Sequence, residues 1–351
     1  MLDAKKMDEP ILSIQHILSI LIQPNKTSNM KALVLVAKDQ PLSYKDVATP
    51  VHSEGAVIVK LAAAALNHRD VWIQKGLYAG LKYPTILGSD GAGTTADGQS
   101  VIINPSINWG DNPRFQGKDY QILGLPMEGT FAEYIRMPEE NIVQMPQHLS
   151  FQQAAALPLA GLTAFRALFT RCQIKAGEKV LISGIGGGVA LFALQFACAA
   201  GCEVWVTSSS EDKISKAVAM GAKGGFDYRT EGWSKTAMAT TGGFDCVIDS
   251  AAGSGFAELI KACQAGARLC FYGGTAGLLT GISPQIVFYK QLTIMGSTMG
   301  SLAEFNAMVT FVSEHKIVPI VDEVFALSEG NAALTKMDKG AQFGKLVLSI
   351  I

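Results

Sequence analysis

The sequence predicts an α/β protein in which a doubly wound parallel sheet of six strands is joined to a second, mostly antiparallel lobe. Three observations carry this expectation. Between residues 179 and 297, short and nearly continuous apolar runs alternate with helical patterns, as expected of strands covered on both faces. From 30 to about 150 the apolar runs are instead separated by joints rich in Pro and Gly. Between a strand pattern and a long apolar helix pattern, LISGIGGGVALFALQFA (181–197) places four glycines within five positions.

Taken in order, the first 29 residues precede MKALVLV (30–36), which reads as a first strand with Met30 as an alternative initiator. They are read as an upstream-start extension, with a short amphipathic docking helix as the functional alternative. Within them ILSIQHILSILI (11–22) is short for a bilayer span and no small-residue cleavage site follows, so no membrane crossing is expected. Strands are expected at 56–66, 100–105 and 131–138, with loops at 83–93 and 104–126, the second long enough to suggest a function. At 150 a capping Ser with Gln153 opens a helical run that Pro158 and Gly161 are expected to break or kink. Strands then follow at 179–183, 203–207, 226–228, 245–250, 268–273 and 292–297, with helices near 187–200, 211–220 and 254–263. After 300 come a helix (301–314), a strand (323–327), a helix (328–337) and a strand (345–350). These exceed the six-stranded sheet, so the tail is expected to return to the first lobe. The predicted division is an extension at 1–29, a first lobe at 30–151, a nucleotide-binding domain at 152–298 and the return at 299–351.

The chain has 351 residues, enough for two domains. Charged residues make up 17% and the formal net charge is −1, so there is no basic field to hold a polyanion and nucleic acid is not an expected partner. The six cysteines, at 172, 198, 202, 246, 263 and 270, mostly fall inside apolar patterns, as buried free thiols do, and fit a reducing cytoplasm.

The glycine loop points to a ligand. Where a strand turns into a helix, unpaired amide N–H groups and the helix dipole form an anion site, and glycines let a diphosphate approach the backbone. The pattern is not literally GxGxxG, since Ala190 holds the last small position, but its strand-loop-helix context is the one the motif requires. Binders of NAD carry an acid about 20 residues further on, at the end of the second strand. Here TSSSEDK (207–213) puts Thr207 and Ser208 there with Lys213 close behind, which suits a ribose 2′-phosphate and favours NADPH over NADH. Glu211 and Asp212 are the counter-reading, through a shift of register.

LNHRDVWIQKGLY (66–78), YPTILGSDGAG (83–93), GTFAEYIRMP (129–138), AAALPLAGLTAFRAL (154–168), the glycine loop, FYGG (271–274) and FGKLVL (343–348) together resemble the medium-chain dehydrogenase/reductase superfamily, near its quinone oxidoreductase branch and zinc-free alcohol dehydrogenase relatives. The resemblance covers residues 30–351. It implies a GroES-like, partly open β-barrel catalytic domain built from both chain ends, a Rossmann domain between them and an active-site cleft at their junction. Many members hold zinc in that cleft through Cys, His and Cys; the corresponding positions here are Asn67, Ser89 and Leu159, none a good zinc ligand. Residues 30–150 contain no cysteine, and His68 with Asp70 and Asp90 is a weak alternative trio, so a zinc-free enzyme is expected.

By the same resemblance Asn67 and Tyr78 would line the substrate side of the nicotinamide, with Asp70 the third candidate at the catalytic centre, organising the NHRD turn more readily than transferring a proton. Thr163 would contact the nicotinamide end, and Gly186, Gly187, Gly188 and Val189 the diphosphate. Ser209, Lys213 and Tyr228 would surround the 2′-phosphate, Gly273, Gly274 and Thr275 the ribose and nicotinamide, while Phe343, Gly344 and Lys345 belong to a closing motif near the cofactor. Without a Lewis acid an unactivated ketone is hard to reduce, whereas a quinone or α,β-unsaturated carbonyl spreads the incoming charge. The expected function is therefore NADPH-dependent reduction of a small electrophilic substrate of that kind. A zinc-free alcohol or carbonyl dehydrogenase, an enoyl-thioester reductase and a non-enzymatic, crystallin-like NADPH-binding protein are the alternatives. A homodimer joined through the strand at 292–297 is also expected from the resemblance.

Overall fold

The computed structural model of the protein describes residues 28–350. The readings of the extension up to residue 27, including the apolar segment 11–22, lie outside the described residues. Among the described residues no helix is long and apolar enough to cross a membrane.

The six predicted parallel strands form one sheet. They are Lys179–Ile182, Glu203–Ser208, Gly224–Asp227, Phe244–Asp249, Cys263–Phe271 and Thr293–Gly296, and across the sheet they run third, second, first, fourth, fifth, sixth. The order reverses beside Lys179–Ile182, the strand that feeds the glycine loop, and such a reversal leaves a crevice at the carboxyl ends of the strands. Val180, Leu181 and Ile182 are all fully buried, which explains the unbroken apolar run. Thr293–Gly296 ends the sheet, at the place where the sequence expectation puts a homodimer contact.

Two helices of this region escaped the sequence reading, Trp233–Thr241 and Pro284–Tyr289. The first is bracketed by Gly232 and Gly242, both left-handed (φ 72° and 78°), and carries Thr and Ser where a helix usually has straight-chain residues. The break expected at 158–161 is half observed. Pro158 ends one helix, Phe151–Ala156, and opens the next, Pro158–Phe165, at a position where its missing N–H costs nothing. Gly161 does not kink the second helix. A Cβ there would stand 2.8 Å from Met308 Sδ, so this glycine lets helix Leu302–Glu314 pack closely.

The first lobe is antiparallel except at one edge. Ala56–Ala65 is its central strand, pairing with Asp90–Thr95, with Tyr134–Pro138 and with the C-terminal strand Lys345–Ser349. The chain thus returns to the first lobe with its last strand, which brings Lys345 beside the NHRD segment. Helix Leu302–Glu314 instead stays with the nucleotide-binding side: Phe311 packs against Phe165, Phe169 and Phe196. The long loop after residue 104 is tied to that side as well. Buried Arg166 bonds both carboxylate oxygens of Glu304 at 2.7 Å and the carbonyl of Arg114 at 2.8 Å, and its guanidinium lies 4.7 Å from the Trp109 ring centre. All six cysteines are free; Cys172, Cys246, Cys263 and Cys270 are buried, and Cys198 and Cys202 half-buried.

Candidate active site

A cleft of about 800 Å³ runs between the two lobes, floored by the glycine loop and walled on the other side by the NHRD segment and the 340–345 turn. Gly184 and Gly186 have φ of 64° and 122°, a backbone that other residues resist. A Cβ on Gly188 would lie 2.7 Å from Lys345 Cδ, whereas one on Gly187 would meet nothing within 4 Å. The loop is therefore bare where it faces the cleft. Gly187 caps helix Gly188–Ala199, whose first amides have no intrahelical partners, so diphosphate oxygens would find both N–H groups and a favourable dipole there.

The adenosine end of the cleft carries Ser208, Ser209, Ser210, Lys213 and Tyr228. Among the described residues no Asp or Glu lines the cleft. Glu211 and Asp212, the counter-reading, are exposed in the first turn of their helix, and Asp212 pairs with Lys216 at 2.8 Å. Thr207 is occupied too: its hydroxyl accepts the Gly184 N–H at 3.3 Å, bracing the glycine loop. Lys213 Nζ donates to the carbonyl of Gln342 at 3.1 Å.

At the other end the NHRD segment opens helix His68–Gln74. Asp70, expected at the catalytic centre, does not line the cleft. It is fully buried behind it, and Oδ2 accepts the Asn67 N–H at 2.8 Å, closing the helix start. It is a positioning residue for Asn67. Burial raises its pKa from 3.8 to about 6, with the Arg69 charge pulling the other way. Because the folded carboxyl keeps its proton to about pH 6 while the unfolded one releases it near 3.8, the native chain binds the extra proton between those values. The stability this group supplies therefore falls as pH rises through that window. In urea titrations at pH 4.5 and 7, the wild type should lose about 2 kcal/mol more between the two than Asp70→Asn does; equal losses would show that Asp70 ionises normally.

Asn67, only 7% exposed, lies in a network with two residues from distant strands. Lys345 Nζ donates to Asn67 Oδ1 at 2.7 Å and to Asp90 Oδ2 at 2.9 Å, and Asn67 Nδ2 donates to the same Asp90 oxygen at 2.9 Å. The other Asp90 oxygen accepts the Leu159 N–H at 2.8 Å. The ammonium only donates and the carboxylate only accepts, so the amide of Asn67 can face them in one orientation. That leaves one Nδ2 hydrogen for the cleft.

Zinc does not fit these residues. Leu159 contributes only its backbone N–H, the Ser89 hydroxyl donates to the Leu123 carbonyl at 2.7 Å, and the Asn67 oxygen already faces an ammonium. A divalent cation there would need deprotonated thiolate, imidazole or carboxylate ligands in place of a lysine. Among the described residues no group of three or more His, Cys, Asp and Glu side chains could hold a metal.

The remaining expected residues divide plainly. Tyr78, Thr163, Gly186, Gly187, Gly188, Val189, Ser209, Lys213, Tyr228, Gly273, Gly274, Thr275 and Lys345 all line the cleft. Phe343 does not: its ring lies 5.5 Å from Lys216 Nζ and packs on the main core, so it supports the 340–345 turn from behind. Lys345 reaches past the glycine loop to Asn67, which the sequence reading did not foresee. Missed altogether were Arg69 and Gln342 on the cleft and Asp90 as the partner of Lys345. His68 also opens on the cleft; although it is exposed, the atoms crowding its ring and then the Lys345 charge hold its imidazole below the ordinary range.

Comparisons with known proteins agree with this architecture. The family model for the alcohol dehydrogenase GroES-like domain matches residues 53–147, and that for zinc-binding dehydrogenase matches 188–314. The chain is 34% identical over 341 residues to the zinc-type alcohol dehydrogenase-like protein YogA of Leptosphaeria maculans, covering 88% of this chain and 95% of that protein. It is 30% identical to a quinone oxidoreductase of Pseudomonas aeruginosa, over 82% of this chain and 84% of that one. Among solved structures, an NAD-dependent alcohol dehydrogenase superposes with a TM-score of 0.88 at 36% identity, covering 92% of this chain and all of that one.

Proposed function

Since this chain belongs to the medium-chain dehydrogenase/reductase superfamily, on its quinone oxidoreductase-like side, we propose that it is a zinc-independent, NADPH-dependent reductase of quinones or α,β-unsaturated carbonyl compounds. Oxidoreduction with a nicotinamide dinucleotide belongs to the superfamily as a whole; the acceptor class, the 2′-phosphate and the independence from zinc are this proposal. One observation carries it: Asn67, which the resemblance matches to a zinc ligand of other members, is tied by hydrogen bonds to Asp90 and Lys345. A site built that way offers hydrogen bonds and a fixed positive charge instead of a Lewis acid. Such groups suffice for acceptors whose incoming charge is delocalised and fall short for a simple ketone.

The bound nicotinamide supplies the hydride. The protein supplies orientation: Asn67 presents its remaining amide hydrogen, held in place by Lys345 and Asp90, and Tyr78, 38% exposed on the cleft, presents a phenol. Lys213 and a lining that holds no Asp or Glu among the described residues support the phosphorylated dinucleotide. Oxidation of NADPH with 1,4-benzoquinone, enals, enoyl-CoA and simple ketones, before and after dialysis against a zinc chelator, tests the proposal. Turnover of conjugated acceptors that survives chelation is expected, with little activity on ketones; no turnover with any conjugated acceptor, or activity that zinc restores, would refute it. In the same assay Asn67→Ala should lower kcat about 10²-fold, the usual effect of one positioned donor, and Tyr78→Phe less. Preference for NADH and an alcohol would favour the alcohol dehydrogenase reading, to which the 36%-identical solved structure lends weight.

A further inference from the structure

The cleft wall carries a cation for which the residues so far described give no use. Arg69 is 8% exposed, yet it lines the cleft. Its two hydrogen bonds both leave from Nη1, to Ser89 Oγ and to the Leu123 carbonyl, each at 2.6 Å. Its Nε is buried with no partner among the described residues. Among the described residues no carboxylate is hydrogen-bonded to it: the neighbouring Asp70 lies close enough for the two charges to act on each other, but one of its oxygens accepts the Asn67 N–H and the other makes no hydrogen bond. The Tyr78 ring lies 5.4 Å from its guanidinium carbon, which puts the cation against a residue that also faces the cleft.

Keeping a guanidinium this deep without a hydrogen-bonded counter-ion is costly, and a neutral side chain would fill the volume at less expense. Leaving part of its donor set unsatisfied adds to the cost. Ser89 and the Leu123 carbonyl fix one side of the planar group, so its orientation is set before any ligand arrives. A guanidinium, unlike an ammonium or imidazole, is always charged in proteins.

We propose that Arg69 receives the substrate oxygen that carries or develops negative charge, making it a further catalytic residue. This rests on the reductase reading. In that reaction the acceptor gains two electrons as hydride, with a new C–H bond at its β-carbon. The Cα=Cβ pair shifts to form a Cα=C bond, the carbonyl π pair moves onto oxygen, and water later returns a proton at the α-carbon. The reduced nicotinamide is the reductant, and the charge on oxygen is what Arg69 stabilises. An acceptor that already bears a carboxylate would meet the same group in its ground state.

The test compares wild type, Arg69→Met and Arg69→Lys with a neutral enone and with an enone bearing a carboxylate, alongside NADPH affinity and thermal melting. For Arg69→Met a fall in kcat of about 10²-fold is expected, with nucleotide affinity and melting nearly unchanged and a smaller loss in Arg69→Lys, while Arg69→Ala, which leaves the volume open, should be partly restored by added guanidinium ions. A loss in kcat with the neutral enone marks charge developing on oxygen; a loss confined to KM for the carboxylate-bearing one marks ground-state binding. Unchanged kcat and KM in a folded Arg69→Met, or a loss in folded Arg69→Ala that guanidinium ions do not relieve, overturns the assignment. If the wild type reduces no acceptor, the reductase reading fails and Arg69 is judged by benzoate binding to the NADPH-loaded protein. Binding weakened at least tenfold in Arg69→Met sustains its role, while equal binding, or none by wild type, ends it.

Discussion

Asp90→Ala should cost about 3–5 kcal/mol of folding stability, read from urea unfolding of the nucleotide-free protein, because it leaves a buried ammonium without its counter-ion. The Asp90 side chain is fully buried and that of Lys345, at the cleft wall, is 4% exposed, so little water stands ready to replace the lost partner. The same substitution frees the Leu159 N–H and one donor of Asn67, each of which now ends on that carboxylate. Two donors orphaned beside an unpaired charge, one buried and one half-buried, place this variant among the most damaging single changes the site could suffer. The double variant Asp90→Leu, Lys345→Met removes both charges and should be less destabilised than Asp90→Ala, since a matched apolar pair often replaces a buried ion pair at little cost. A loss under 1 kcal/mol in Asp90→Ala would mean that the pair is not formed as described.

The difference between Asp90 and the glycine loop shows what a sequence can reveal. The loop is legible because everything it needs is local: a strand, glycines where the backbone turns left-handed, and a helix start, all within 20 residues. The pair of Lys345 and Asp90 spans 255 positions and depends on the last strand pairing beside Ala56–Ala65, so neither GSDGAG nor FGKLVL alone discloses it. Arg69 escaped for a related reason. Within NHRD it resembles an ordinary surface cation on a short helix, and only the position of Ser89 and Leu123 shows that it is buried and bonded to neutral oxygens. Asp70 was legible as an organiser of its turn because its acceptor role is three residues away, while the same closeness to Asn67 made it resemble a catalytic group. Phe343 was misplaced because neighbours in a motif need not share a face: Gly344 and Lys345 border the cleft, and the ring between them and Gln342 turns back to the core.

Lys213→Glu should weaken NADPH binding by about 10²- to 10³-fold while changing NADH affinity only a few-fold, measured by nucleotide fluorescence titration. Loss of a charge-assisted hydrogen bond to a phosphate is worth about 1.5–3 kcal/mol, and like-charge repulsion of similar size adds to it. The lysine is well placed for this role because Ser208, Ser209 and Tyr228 share its end of the cleft and, among the described residues, no acid does. Its stem also runs beside the diphosphate turn, where a Cβ on Gly186 would stand 2.9 Å from Lys213 Cδ. A lysine there has two phosphates within its possible reach, and the two nucleotides separate them. Equal weakening of NADH and NADPH would assign Lys213 to the diphosphate and remove the main support for a 2′-phosphate site. Selective loss of NADPH would place the charge at the ribose, where the second strand of the sheet ends in serines instead of an acid.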